Sequence, residues 1–266
     1  MDDALASDLR NGRLPAAHEN HWLAPHDRTE LMASVSPGHS ESAVNGDPAT
    51  RVPQPRVPTH DAVRDVDAPT LSPLAQARLR ESAARNSAAA ELFETGRHDE
   101  AVPLFEQALA SCRSTLGGDH PDTLIVAGNL AVAYVAAGNR RKGIKLIVGN
   151  LAARVRVFGD EHPETLTARN ALAVAHRING DVDTAVTLAK QVAVQRSRML
   201  GPEHVDTLTS RMSLALAMAA AGHLTTAHGL VASTMSDAET ALGADHEHTL
   251  ALLECGESNG LLQREV

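Results

Sequence analysis

Every 42 residues the chain returns to the same short phrase. "LGGDHPDTL" begins at Leu116, "FGDEHPETL" at Phe158, "LGPEHVDTL" at Leu200 and "LGADHEHTL" at Leu242. Gly117, Gly159, Gly201 and Gly243 fall in register, followed by His120, His162, His204 and His246, and by Thr123, Thr165, Thr207 and Thr249. Taken alone, "GDEHPETL" (159–166) has the ingredients of an active site: two carboxylates, an imidazole and a hydroxyl. Four copies at constant spacing describe a structural joint instead. Self-similarity at this period means stacked supersecondary units, each too small to bury its apolar face alone.

A second glycine register, Gly96, Gly138, Gly180 and Gly222, lies midway and divides each unit into two helices. In the second full unit the first helix is expected over about 163–179 and the second over about 181–200. Gly180 and Gly201 would supply the left-handed residue that ends each helix. Pro121 and Pro163 suit a first helical turn, where a missing N–H costs nothing, and the acid beside each favours the helix N-terminus. In "DEAVPLFEQALASC" the residues Ala101, Leu104, Phe105, Ala108 and Cys112 follow the i, i+3, i+4, i+7 spacing of one buried face. The first of these positions stays small in every unit (Ala101, Gly143, Ala185, Ala227), which predicts close helix approach there.

These marks resemble tetratricopeptide repeats of the 42-residue variety found in kinesin light chains and many bacterial proteins. "NLAVAYVAAG" (129–138), "NALAVAHRING" (170–180) and the glycine-histidine joints carry the resemblance over about residues 79–255. It departs from the pattern where tyrosine is usual: Tyr134 stands in one copy, but Leu92, His176 and Met218 stand in the others. The implied fold is all-α, a superhelical solenoid of stacked antiparallel helix pairs, with repeats at about 79–117, 118–159, 160–201 and 202–243. A capping helix would cover about 245–260.

Residues 1–73 read differently from 74–266. Nine of the 13 prolines lie in them, with no phenylalanine or tyrosine and no sustained apolar period, so this acidic tail is expected to be disordered. It holds the only tryptophan, Trp22, in "AAHENHWLAPHDRTELMASV". Trp22 is either an incidental apolar residue or, by resemblance to grooves that accept tryptophan-acidic peptides, an intramolecular plug.

The net charge of −9 argues against nucleic acid and anionic membranes as partners. The opening "MDDALASDLR" lacks the basic and apolar regions of a signal peptide, no apolar run approaches a membrane span, and two cysteines fit a reducing compartment. The expectation is a cytoplasmic protein. Arginine outnumbers lysine 21 to three, a bias that high-GC bacterial genomes produce.

No nucleophile elbow, zinc-protease helix or phosphate-binding loop is present, so no catalytic residue, cofactor or metal site is assigned. The spaced histidines read as turn-packing or capping groups, because repeats displaced along a solenoid do not converge on one ion. The resemblance instead implies a concave groove lined by first helices, binding a peptide segment of a protein partner. Its candidate residues are Asn86, Ala90, Phe93, Ile125, Asn129, Val132, Val135, Asn170, Val174, Arg177, Met212, Leu216 and Ala219. The asparagines either hold a peptide backbone or bridge adjacent helices. Arg169 and Arg211, with Arg177, either receive an acidic group or pair with neighbouring acids.

The function expected is a non-catalytic scaffold or adaptor, with regulation as one use. A self-assembling element remains open, a homo-oligomer stacking through Leu250, Leu252 and Leu253. So does an accessory domain of a separately encoded enzyme or signalling system.

Overall fold

The computed structural model describes residues 71–262. Within them the chain forms nine helices: α1 Pro73–Glu94, α2 His98–Leu116, α3 Pro121–Ala136, α4 Arg140–Phe158, α5 Pro163–Asn179, α6 Val182–Leu200, α7 Val205–Ala220, α8 Leu224–Leu242 and α9 Glu247–Ser258. Residues 1–70 of the tail read as disordered, Trp22 included, lie outside the described residues; the tail's last residues are described, with Ser72 capping α1 and Pro73 opening it.

Each helix packs on those before and after it, and the first helices also touch the next first helix, α3 with α5, α5 with α7 and α7 with α9. Contacts therefore run almost entirely between neighbours along a stack, the quasi-one-dimensional organisation of a solenoid.

Glycine sets the boundaries, in two different ways. Gly180 ends α5 at φ 91°, ψ 3°, the left-handed conformation expected. Gly201 ends α6 at φ 95°, ψ 161°, which is the mirror image of extended backbone and essentially confined to glycine. That geometry turns the chain outward to start the next pair rather than closing a Schellman turn. At the small position, a Cβ built on Gly143 would stand 2.5 Å from Val135 Cγ2 and 2.8 Å from the Ala131 carbonyl, so α4 approaches α3 closer than alanine permits.

First and second helices are buried unequally. In α3, α5 and α7 ten residues each are buried; in α2, α4, α6 and α8 only five each. First helices run through the middle of the stack, and second helices show one face to solvent. The last first-type helix, α9, is partly covered by the chain's own continuation. Leu261 is buried, and Leu262 packs beside Gly256, where a Cβ would meet its side chain at 2.6 Å.

Candidate functional site

The residues that suggested chemistry form the joints. His120, His162, His204 and His246 are the N-caps of α3, α5, α7 and α9, and each accepts through Nδ1 from the backbone N–H two residues on, at 3.3, 3.2, 3.2 and 3.1 Å. Accepting at Nδ1 places the proton of the neutral ring on Nε2. Thr165 donates to the Gly159 carbonyl at 2.7 Å, and its equivalents Thr123, Thr207 and Thr249 are buried like it. Burial lowers the pKa of His120, with Asp122 opposing. Burial also lowers that of His248, against its bond to the Val205 carbonyl and the Asp206 carboxylate. His248 lies 3.0 Å from Thr209 Oγ1 and 3.2 Å from the Val205 carbonyl, tying α9 to α7. Among the described residues no three His, Cys, Asp or Glu side chains converge as metal ligands would.

Two buried arginines stand behind these caps and were not anticipated from sequence. Arg154 of α4 pairs with the Glu164 carboxylate and donates to the Glu164 carbonyl (2.9 Å) and Asn150 Oδ1 (3.1 Å). Asn150 in turn donates to the Leu124 carbonyl at 2.8 Å, so three helices meet at one cluster. Arg196, 42 residues on, donates to the Asp206 carbonyl (3.1 Å), Ser210 Oγ (2.9 Å) and Thr167 Oγ1 (2.8 Å). Desolvation lowers its pKa, with Asp206 and Glu164 opposing from a distance. The equivalent residues of α2 and α8 are Cys112, beside Ser82 at 3.1 Å, and Ala238. Aligning the second helices at 42 residues would have exposed the recurrence, an arginine on an otherwise small, apolar face.

The expected groove residues lie mostly inside. Asn129 donates to Asn86 at 3.2 Å and Asn170 to Ser213 at 3.2 Å, all four buried, so the asparagine bonds seen are bridges between successive first helices. Phe93, Ala90, Val132, Val135, Val174, Met212 and Leu216 are buried too, and fill the space between helices rather than line an open channel. Arg177, Ile125 and Ala219 retain partial exposure. Arg169 is held by Asp160 (2.5 Å) and Gln195 (3.0 Å), and Arg211 by Asp237 (2.5 Å) and Ser233 (3.0 Å). The three arginines thus do not form one free strip. Tyr134 donates to the Glu106 carboxylate, and burial with that carboxylate pushes its pKa up to about 12, so it stays protonated.

Open surface lies on the second helices. Along α6 an open depression of about 820 Å³ is lined by Val186, Thr187, Lys190, Gln191 and Val194, with Arg169, Gln195 and Asp160 at its margin. Its walls are apolar, and amide, ammonium and guanidinium groups stand within them.

Helical hairpins stacked through glycine-histidine joints define an all-α repeat solenoid. Two family models, both described as tetratricopeptide repeat, match residues 79–145 and 165–206. Two crystal structures of a Podosopora anserina putative kinesin light chain with nearly identical TPR-like repeats are similar at 30% identity and a TM-score of 0.55. The match covers 67% of this chain and 84% and 85% of those chains. The chain belongs to the tetratricopeptide repeat family, whose repeats generally mediate protein–protein interaction. No curated protein matches it. No helix among the described residues is long and apolar enough to cross a membrane.

Proposed function

We propose that this protein is a non-catalytic cytoplasmic scaffold or adaptor that holds a peptide segment of a protein partner on the outward face of its second helices. The depression along α6 supports this reading. It is open along its length, so it suits an extended chain rather than an enclosed small molecule. Val186 and Val194 offer apolar contact, and Gln191 and Gln195 offer amides that both donate and accept, as a peptide backbone requires. Arg177, Ile125 and Ala219 are the groove candidates with surface left to add a second contact line. Affinity capture from the native organism with the full chain tests the reading. Val186→Ser with Val194→Ser is expected to lose the partner with an unchanged circular dichroism spectrum, and retention of every partner would move the site elsewhere.

One observation favours self-association as a second reading. On α9, Leu250 and Leu253 are 49% and 37% exposed at the end of the stack. Leu252, grouped with them in the sequence-based expectation, is fully buried in the last core cluster and is removed from that surface. A mass by light scattering that rises with concentration, and falls back with Leu250→Ser and Leu253→Ser, is the signature of end-to-end stacking.

A further inference from the structure

In a chain of net charge −9, α4 carries Arg140, Arg141, Lys142, Lys145, Arg154 and Arg156 and no acidic residue at all. Its two halves treat those cations differently. Near the C-terminus Arg154 pairs with Glu164 and Arg156 with Asp119. At the N-terminus Arg140, Arg141, Lys142 and Lys145 are exposed and make no ion pair among the described residues, and Lys142 rests over the Tyr134 ring at 5.3 Å.

Three cations in the first turn of α4, Arg140, Arg141 and Lys142, oppose the helix dipole, with Lys145 one turn further on. The corresponding turns of the neighbours obey it, with Asp99 and Glu100 opening α2 and Asp183 opening α6. The dipole thus opposes the charge of this turn, and among the described residues only Lys142, over the Tyr134 ring, has an intramolecular contact that offsets it. An outside anion would relieve it. The acidic turns on either side limit that anion to something short, since a long polyanion such as nucleic acid would run onto Asp99, Glu100 and Asp183.

Helical spacing adds an apolar element. Arg141, Lys145, Val148 and Ala152 share one face at i, i+4, i+7 and i+11, and Val148 is 48% exposed. Lys145, Val148 and Ala152 correspond at 42 residues to Thr187, Lys190 and Val194 of the α6 depression. Basic turn and depression are thus parts of one outward surface on successive second helices.

We infer that the α4 face formed by Arg141, Lys145 and Val148 docks an acidic segment of a partner protein, carboxylates on the two cations and a neighbouring apolar side chain on Val148. The inference rests on the scaffold reading above and gives its partner a chemistry. Both are tested on the full chain by fluorescence anisotropy with a labelled synthetic peptide of Glu-Glu-Leu repeats. A Lys-Lys-Leu peptide and a single-stranded DNA oligonucleotide serve as comparisons.

The acidic peptide binds, more weakly as salt rises, and the basic peptide does not. Arg141→Glu with Lys145→Glu weakens the acidic peptide about tenfold while the melting temperature holds or rises, because an acid at position 141, in the first turn, suits the dipole. Val148→Ser weakens binding without changing its salt dependence.

Undiminished binding after the charge reversal overturns the inference, as does failure of the acidic peptide to bind. DNA binding that matches the peptide and falls with it would make the surface an unselective polyanion site. Zero-length carbodiimide crosslinks from Lys142 or Lys145 to carboxylates of residues 1–70 in the monomer would make the occupant the chain's own segment. If Val186→Ser with Val194→Ser abolishes peptide binding and the charge reversal does not, the scaffold reading stands and the α4 assignment falls.

Discussion

The inner and outer joints of the solenoid occupy the same place in the repeat and are built from different chemistry. Between α4 and α5, and between α6 and α7, a buried arginine reaches from a second helix to the start of the next first helix. At the outer joints its place is taken by Cys112 and Ala238. All four joints keep the histidine cap. The cap and the glycine make the turn, and the arginine adds polar bonds between two stacked pairs where both neighbours are present. The inner pair is itself unequal: Arg154 has the Glu164 carboxylate, whereas Arg196 bonds only neutral oxygens and leaves Nε without a partner.

Removing Arg154 is expected to have the largest effect. Arg154→Ala leaves Glu164 and the Leu124–Asn150 cluster without their cation, and the unfolding free energy is expected to fall by about 3–5 kcal/mol in urea titration. Next comes the close approach beside that joint. Gly143→Ala forces α4 off Val135 and the Ala131 carbonyl and is expected to cost about 1–3 kcal/mol, whereas the aligned positions already carry alanine. The cap should be worth the same at an inner and an outer joint. His162→Ala and His246→Ala are each expected to cost about 1 kcal/mol, and a much larger effect at one of them would show that caps and arginines are coupled. Smallest is Arg196→Met. With no carboxylate partner lost, the change is expected to stay within about 1 kcal/mol of neutral, and a loss as large as that at Arg154 would erase the distinction between the inner pair.

Acid separates the joints in another way. Burial lowers the pKa of His120 and of His248, which belong to the two outer joints, and His248 stands where the other joints have Asp122, Glu164 and Asp206. Because burial depresses the folded pKa, the unfolded chain binds these protons first. The stability they contribute is whole above about pH 6.5 and is lost as the pH falls below it. Hydrogen exchange should find α9 losing protection between pH 7 and pH 5, and His248→Asn should flatten that dependence. A pH dependence unchanged by the substitution would place the acid sensitivity elsewhere.

The fold was legible because the period is strict: eight glycines and four histidines at constant spacing fix every helix break from Gly96 to Gly243. The site was less so. Asn86, Asn129 and Asn170 could be read either as holding a peptide backbone or as bridging helices, and which partner an amide meets depends on how closely first helices stack. That distance follows from the small residues around them, such as Ala131 and Ala173, and no single helix reveals it. Arg154 and Arg196 were missed because one arginine on an amphipathic helix reads as a solvated residue; only Thr167, Glu164 and Ser210, brought together by stacking, make it an interior group. The cations of α4 were present in "RRKGIKL" all along, and their meaning depended on knowing which of them find an acid.

The glycines that end the second helices carry a further implication for how such a chain grows. Because Gly159 and Gly201 turn the backbone alike, at φ 94°, ψ 168° and φ 95°, ψ 161°, the segment 160–201 begins and ends at interchangeable seams, each with its own arginine and histidine. A tandem duplication of that segment would meet a matching seam on both sides and lengthen the stack without redesign. Copying a terminal unit would instead bring Cys112 or Ala238 into an interior seam, without the bonds that Arg154 and Arg196 make across theirs.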